Sequence, residues 1–99
     1  MRFSKVISLG EALIDRLGSP REGSSSLGVV KDCFGGAPAN VACALSRLGV
    51  NVSFVGSLGN DLFGTNFRKL MEQRGVNTVG LQHDEHRPTR IVLVRRDVD

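Results

Sequence analysis

The stretch Gly35–Gly49, "GGAPANVACALSRLG", decides how the chain is read. A glycine pair and a proline stand directly before a run with helical periodicity, and Asn40 sits in the first turn. Val41, Leu45 and Leu48 fall at i, i+4 and i+7 and predict one buried face, which Ala42 and Ala44 widen. Pro38 suits the first helical position, where a missing N–H costs nothing, and Gly49 supplies the stop. Gly35 and Gly36 let the backbone turn tightly and let another group approach it. The helix start beyond them leaves N–H groups ready for ligand oxygens. An amide at Asn40 both donates and accepts, which matches the vicinal hydroxyls of a sugar. By spacing alone, a plain capped helix with a surface asparagine meets the pattern more simply.

Outward from there the chain alternates. "FSKVISL", Phe3–Leu9, reads as a strand stopped by Gly10. "GEALID", Gly10–Asp15, then puts the Asp15 carboxylate after a strand end, where open α/β sheets place ligands. The local alternatives are a solvated acid beside Arg16 and, for Glu11, a solvated acid outright. "GSPREGSSSLG", Gly18–Gly28, reads as a loop, and Leu27–Phe34 as a second short strand. After the helix, "VNVSFVGSLG" from Val50 reads as a strand ending near Gly56. Phe63, Phe67, Leu70 and Met71 predict a second helix, with Asp61 as N-cap and Gly75 as its stop. Short apolar runs recur at Val79–Leu81 and Ile91–Val94. This order predicts βαβ units, a parallel sheet between helical layers. "RIVLVRRDVD" ends the chain on a strand with no partner hairpin and no closing helix, so the chain is expected to be cut there.

Composition narrows the classes. The 99 residues fit one small domain, and 40% are hydrophobic, enough to bury a core. Lys and Arg total 13 against 10 acids, and the positive charge is spread along the chain, which argues against nucleic acid as a partner. Cys33 and Cys43 form no CxxC and have no paired histidines nearby, so no metal site or disulfide framework is expected and a reduced, cytoplasmic protein is. No signal-peptide h-region and no apolar run approaching ~18 residues point to a membrane. "VGSLGNDLFG", Val55–Gly64, matches neither a P-loop nor GxGxxG. His83 and His86 lie in a charged segment with no third ligand and read as a solvated loop. Arg87, Arg90, Arg95 and Arg96 fit an anion pocket or, more often, an exposed strand. No catalytic nucleophile and no acid–base pair emerges.

"GEALID", "GGAPANVACALSRLG" and "VGSLGNDLFGTNFRKLMEQRGVNT", in that order and spacing, resemble the N-terminal portion of a PfkB-type, ribokinase-like carbohydrate kinase. Gly35, Gly36, Pro38, Asn40, Ala42, Gly49 and Gly59 match the family's first signature. The resemblance implies an α/β fold, a ribokinase-like parallel sheet flanked by helices with a small β lid, incomplete in this chain. Residues 12–34 and 89–99 would be the lid segments, through which members often form a homodimer. Asp15, Gly36 and Asn40 match positions that bind sugar hydroxyls, with Gly35 shaping the turn. Ala37-Pro38 resembles the GGAPAN of fructokinases rather than the GGKGAN of ribokinases, so fructose is the favoured sugar. The family's catalytic aspartate lies in a C-terminal GAGD, which this chain lacks, and its ATP site and Mg2+ belong to that half. The chain is therefore expected to carry the sugar side of an ATP-dependent kinase and to be inactive alone. The rival expectation is a non-catalytic sugar-binding or lid-mediated interaction module.

Overall fold

The computed structural model describes residues 4–20 and 27–95. The elements are β1 (Val6–Leu9), β2 (Leu13–Pro20), β3 (Leu27–Gly35), α1 (Ala37–Arg47), β4 (Val52–Gly59), α2 (Leu62–Gln73), β5 (Leu81–Asp84) and β6 (Ile91–Arg95). They form two three-stranded sheets, ordered β1–β4–β5 and β3–β2–β6. The first is wholly parallel. In the second, β2 pairs antiparallel with β3 and parallel with β6. This is the α/β architecture of parallel sheet and helices that the sequence predicts.

Right-handed crossovers explain where the helices sit. The steps β1 to β4 and β4 to β5 run the same way across the sheet, so both helices land on one face. Along β4 side chains alternate, and Val52, Phe54 and Leu58 point to that face. They pack with Ala39, Ala42 and Cys43 of α1 and with Phe67 and Met71 of α2. Among the described residues, helices thus cover one face of the first sheet rather than both.

The predicted inner face of α1 is overturned in part: Ala42 is fully buried as expected, but the larger residues are not. Val41 is 50% and Leu48 79% exposed, and only Leu45 of that stripe is partly buried; Ala44 is exposed too. The buried stripe is Ala39, Ala42 and Cys43. The helix lies close against β1, where the Ser8 hydroxyl donates to the Pro38 carbonyl at 2.7 Å, so small side chains fit and large ones turn away. Pro38 falls one position into the helix, after Ala37. In α2 the expected stripe holds, with Phe67 and Met71 fully buried.

Other differences have one cause, strand pairing between distant residues. β4 continues past Gly56 to Gly59 because Gly56–Gly59 pair with Leu81–Asp84. The expected loop Gly18–Gly28 is strand at both ends, since Gly18 pairs with Val30 and Pro20 with Leu27. Its middle, residues 21–26, lies outside the described residues, as does Phe3. The terminal strand β6 does have a partner, β2, reached by a crossover rather than a hairpin. Val79 precedes β5 and is exposed.

The packing yields a contrast. Phe67→Ala should cost about 3–5 kcal/mol of a total of about 5–15 kcal/mol, because it empties the core. Leu48→Ala should stay within about 0.5 kcal/mol, as expected of an exposed position. Urea unfolding of both variants measures this, and a Leu48→Ala loss as large as that of Phe67→Ala would contradict the burial.

Candidate functional site

The sequence places its site residues on three separate elements, and the fold brings them to one corner. Gly36 follows the end of β3 and forms the N-cap of α1 with φ +96°. A Cβ there would lie 2.5 Å from the Glu11 carbonyl oxygen, so only glycine allows the chain to pass. Gly35, one residue earlier, sits under the Asp15 side chain: a Cβ would come within 2.2 Å of Asp15 Oδ2. Asp15 is in the middle of β2, opposite Cys33 on β3 and Val92 on β6. The other face of this sheet docks on α2, with Phe34 and Phe67 ring centroids 4.7 Å apart and the Arg16 guanidinium 6.0 Å from the centre of Phe63. Alternation therefore turns Asp15 away from α2.

Asn40 stands exposed in the first turn of α1, where its N–H bonds to the Gly36 carbonyl at 3.0 Å. No side chain caps this helix. The corner thus offers a carboxylate that accepts, an amide that donates and accepts, and first-turn N–H groups that donate. That set suits neighbouring hydroxyl groups.

Several local readings change. Arg16 does not sit beside Asp15 as its partner; it pairs with Asp32 through bonds of 2.8 and 3.0 Å. Hydrogen bonding to Arg16 holds the Asp32 carboxyl below its usual range. Glu11 is not a lone solvated acid, since it pairs with Arg90. His83 Nδ1 donates to the Gly59 carbonyl at 3.2 Å. Arg96 lies outside the described residues.

Asp61 caps α2 as expected, accepting from Gly64 N–H at 2.8 Å. It also holds Thr89, a buried residue that no local pattern singles out. Burial pushes the Asp61 carboxyl up, but hydrogen bonds from the Thr89 N–H, the Gly64 N–H and the Thr89 hydroxyl, with His83 adding its charge, hold it below the usual carboxylate range.

The profile of the pfkB family carbohydrate kinases matches residues 4–99. The chain belongs to this family. It is 45% identical over 93 residues to fructokinase-2 of Oryza sativa subsp. japonica, covering 90% of this chain and 27% of that protein. It is 38% identical over 94 residues to the fructokinase of Salmonella typhimurium, covering 95% and 29%. Among solved structures, a sugar kinase from Pyrococcus horikoshii in complex with ATP aligns with TM-score 0.82 at 38% identity, covering 91% of this chain and 30% of that one. The fructokinase of Vibrio cholerae O395, bound to fructose, ADP and calcium, aligns with TM-score 0.77 at 33% identity, covering 92% and 28%. The chain therefore spans under a third of the length of these relatives. Among the described residues no helix is long and apolar enough to cross a membrane.

The Asp61 carboxyl sets a pH dependence. Its folded-state pKa is depressed, so its contribution to stability is complete above the unfolded value of about 4 and is lost as pH falls through the lower folded value. Unfolding midpoints of the native chain and of Asp61→Asn should differ by a constant amount from about pH 7 to 5 and converge below about pH 4. A gap that persists unchanged into acid would contradict the assignment.

Proposed function

We propose that the chain forms the sugar-binding wall of a fructokinase-like, ATP-dependent sugar kinase. The complete enzyme transfers the γ-phosphoryl group of ATP to a sugar hydroxyl. The observation that carries this reading is the meeting of Asp15, Gly35, Gly36 and Asn40 at one corner in a pfkB-family chain. Asp15 accepts hydrogen bonds from sugar hydroxyls, Asn40 donates to and accepts from them, and the glycine pair keeps the backbone out of the way. The fructokinase names of the relatives and the fructose bound to the Vibrio cholerae protein support fructose as the sugar.

Phosphoryl transfer depends on positioning and on stabilising developing charge. The residues here serve the first need by fixing the sugar. Among the described residues no group of three or more His, Cys, Asp or Glu side chains could hold a metal ion, so no step through Mg2+ is derived from this chain. The ATP bound in the Pyrococcus horikoshii relative supports ATP as the phosphoryl donor. Residues 12–34 and 89–99, which contain all of the second sheet except Gly35, act in this reading as a lid over the sugar. Its exposed Val30 and Leu93 support a homodimer through that sheet, which light scattering showing only monomer would remove. The free thiols of Cys33 and Cys43 support a cytoplasmic setting.

The test replaces the matching segment of the Salmonella typhimurium fructokinase with this chain. The chimera should phosphorylate fructose from ATP, whereas the 99 residues alone should give no product above background. In the chimera, Asp15→Asn and Asn40→Ala should each raise KM for fructose about ten- to a hundredfold, the size of a lost hydrogen bond to a charged or buried group. A folded chimera whose KM ignores both substitutions would overturn the reading. Fructose binding by the isolated chain without turnover would favour the stand-alone module instead.

A further inference from the structure

The described chain passes between its two sheets at three places: residues 10–12, residue 36 and residues 85–90. The third crossing contains no helix or strand, yet its end is fixed. Thr89 is only 3% exposed. Its N–H donates to Asp61 Oδ2 at 2.7 Å, and its hydroxyl donates to Asp61 Oδ1 at 2.7 Å. The same hydroxyl accepts from Gly59 N–H at 2.9 Å. The backbones are so close that a Cβ on Gly59 would fall 2.2 Å from the Thr89 nitrogen.

Helix capping does not require this. An N-cap needs one carboxylate oxygen for one N–H, and Gly64 satisfies that need. The second oxygen and the threonine serve another end. Immediately after Thr89, the Arg90 carbonyl accepts from Ile14 N–H at 2.9 Å, and β6 then pairs along β2 with Val92 opposite Asp15. On the other side of the crossing, Asn60 N–H bonds to the Asp84 carbonyl at 2.9 Å, which holds the end of β5 to the same turn. A short bonded path therefore runs from the cap of α2, through Thr89 and the first β2–β6 link, to the Asp15 backbone.

We propose that Asp61 and Thr89 form a latch that holds the second sheet at a fixed position over the N-terminus of α1. They are positioning residues for Asp15, an assignment that rests on the sugar-binding role given to Asp15 above. The carboxylate ties helix α2 of the first layer to the strand that carries the second, and Thr89 contributes its side chain to the tie from the crossing itself.

Hydrogen exchange on the 99-residue chain tests the latch without any ligand. In Thr89→Val, which keeps the shape and loses the hydroxyl, amides of β2 and β6 should exchange about tenfold faster, the effect of a lost hydrogen bond. Amides of β1, β4 and β5 should keep their native rates. Thr89→Ser should restore protection, and Asp61→Ser, able to cap Gly64 but too short to reach Thr89, should repeat the loosening. Faster exchange confined to the first turn of α2, or spread evenly over both sheets, would overturn the latch. In the chimera, Thr89→Val should raise KM for fructose more than it lowers kcat, and Thr89→Ser should reverse this. An exchange response without a KM response would keep the latch and remove the sugar-binding role of Asp15.

Discussion

At Gly36 the chain leaves the second sheet and enters α1 with a backbone angle, φ +96°, that side-chain-bearing residues rarely adopt. The Glu11 carbonyl lies where a side chain would begin, so two segments pass at backbone distance. That approach fixes the helix start beside the strand that carries Asp15. Gly35 repeats the arrangement one residue earlier, where the missing side chain makes room for the Asp15 carboxylate. Move either backbone outward by the width of a methyl group and the carboxylate and the helix N-terminus separate.

The remainder of the fold supports this corner from two sides. Below it, Ala39, Ala42 and Cys43 let α1 sit close to β1 and β4, and the Phe54, Phe67 and Met71 core holds both helices on one face. Above it, the second sheet rests on α2 through Phe34, Phe67, Arg16 and Phe63. Asp15 faces away from that contact. The face of the first sheet opposite the helices carries exposed Ile7 and Leu9.

Local patterns made much of this readable. The glycine pair, the helix that follows, the Asp61 cap and the apolar stripe of α2 are all short-range features with strong chemical signatures. The stripe of α1 shows how such reading fails: apolar bulk marked Val41 and Leu48, but close packing selected the small residues instead. Pairing across the chain was the other blind spot. Nothing near Ile91 announces β2 as its neighbour, and nothing near Thr89 announces Asp61, 28 residues away. At the corner itself, "GEALID" contains Asp15 and "GGAPAN" contains Gly35, Gly36 and Asn40, while the register that sets Asp15 over Gly35 exists only in the folded sheet.

The most direct measurement is a crystal structure of the chimeric kinase with fructose and a non-hydrolysable ATP analogue. The account predicts sugar hydroxyls within hydrogen-bonding distance, about 2.6–3.2 Å, of the Asp15 carboxylate and the Asn40 amide. Fructose seated with neither residue in contact would contradict it.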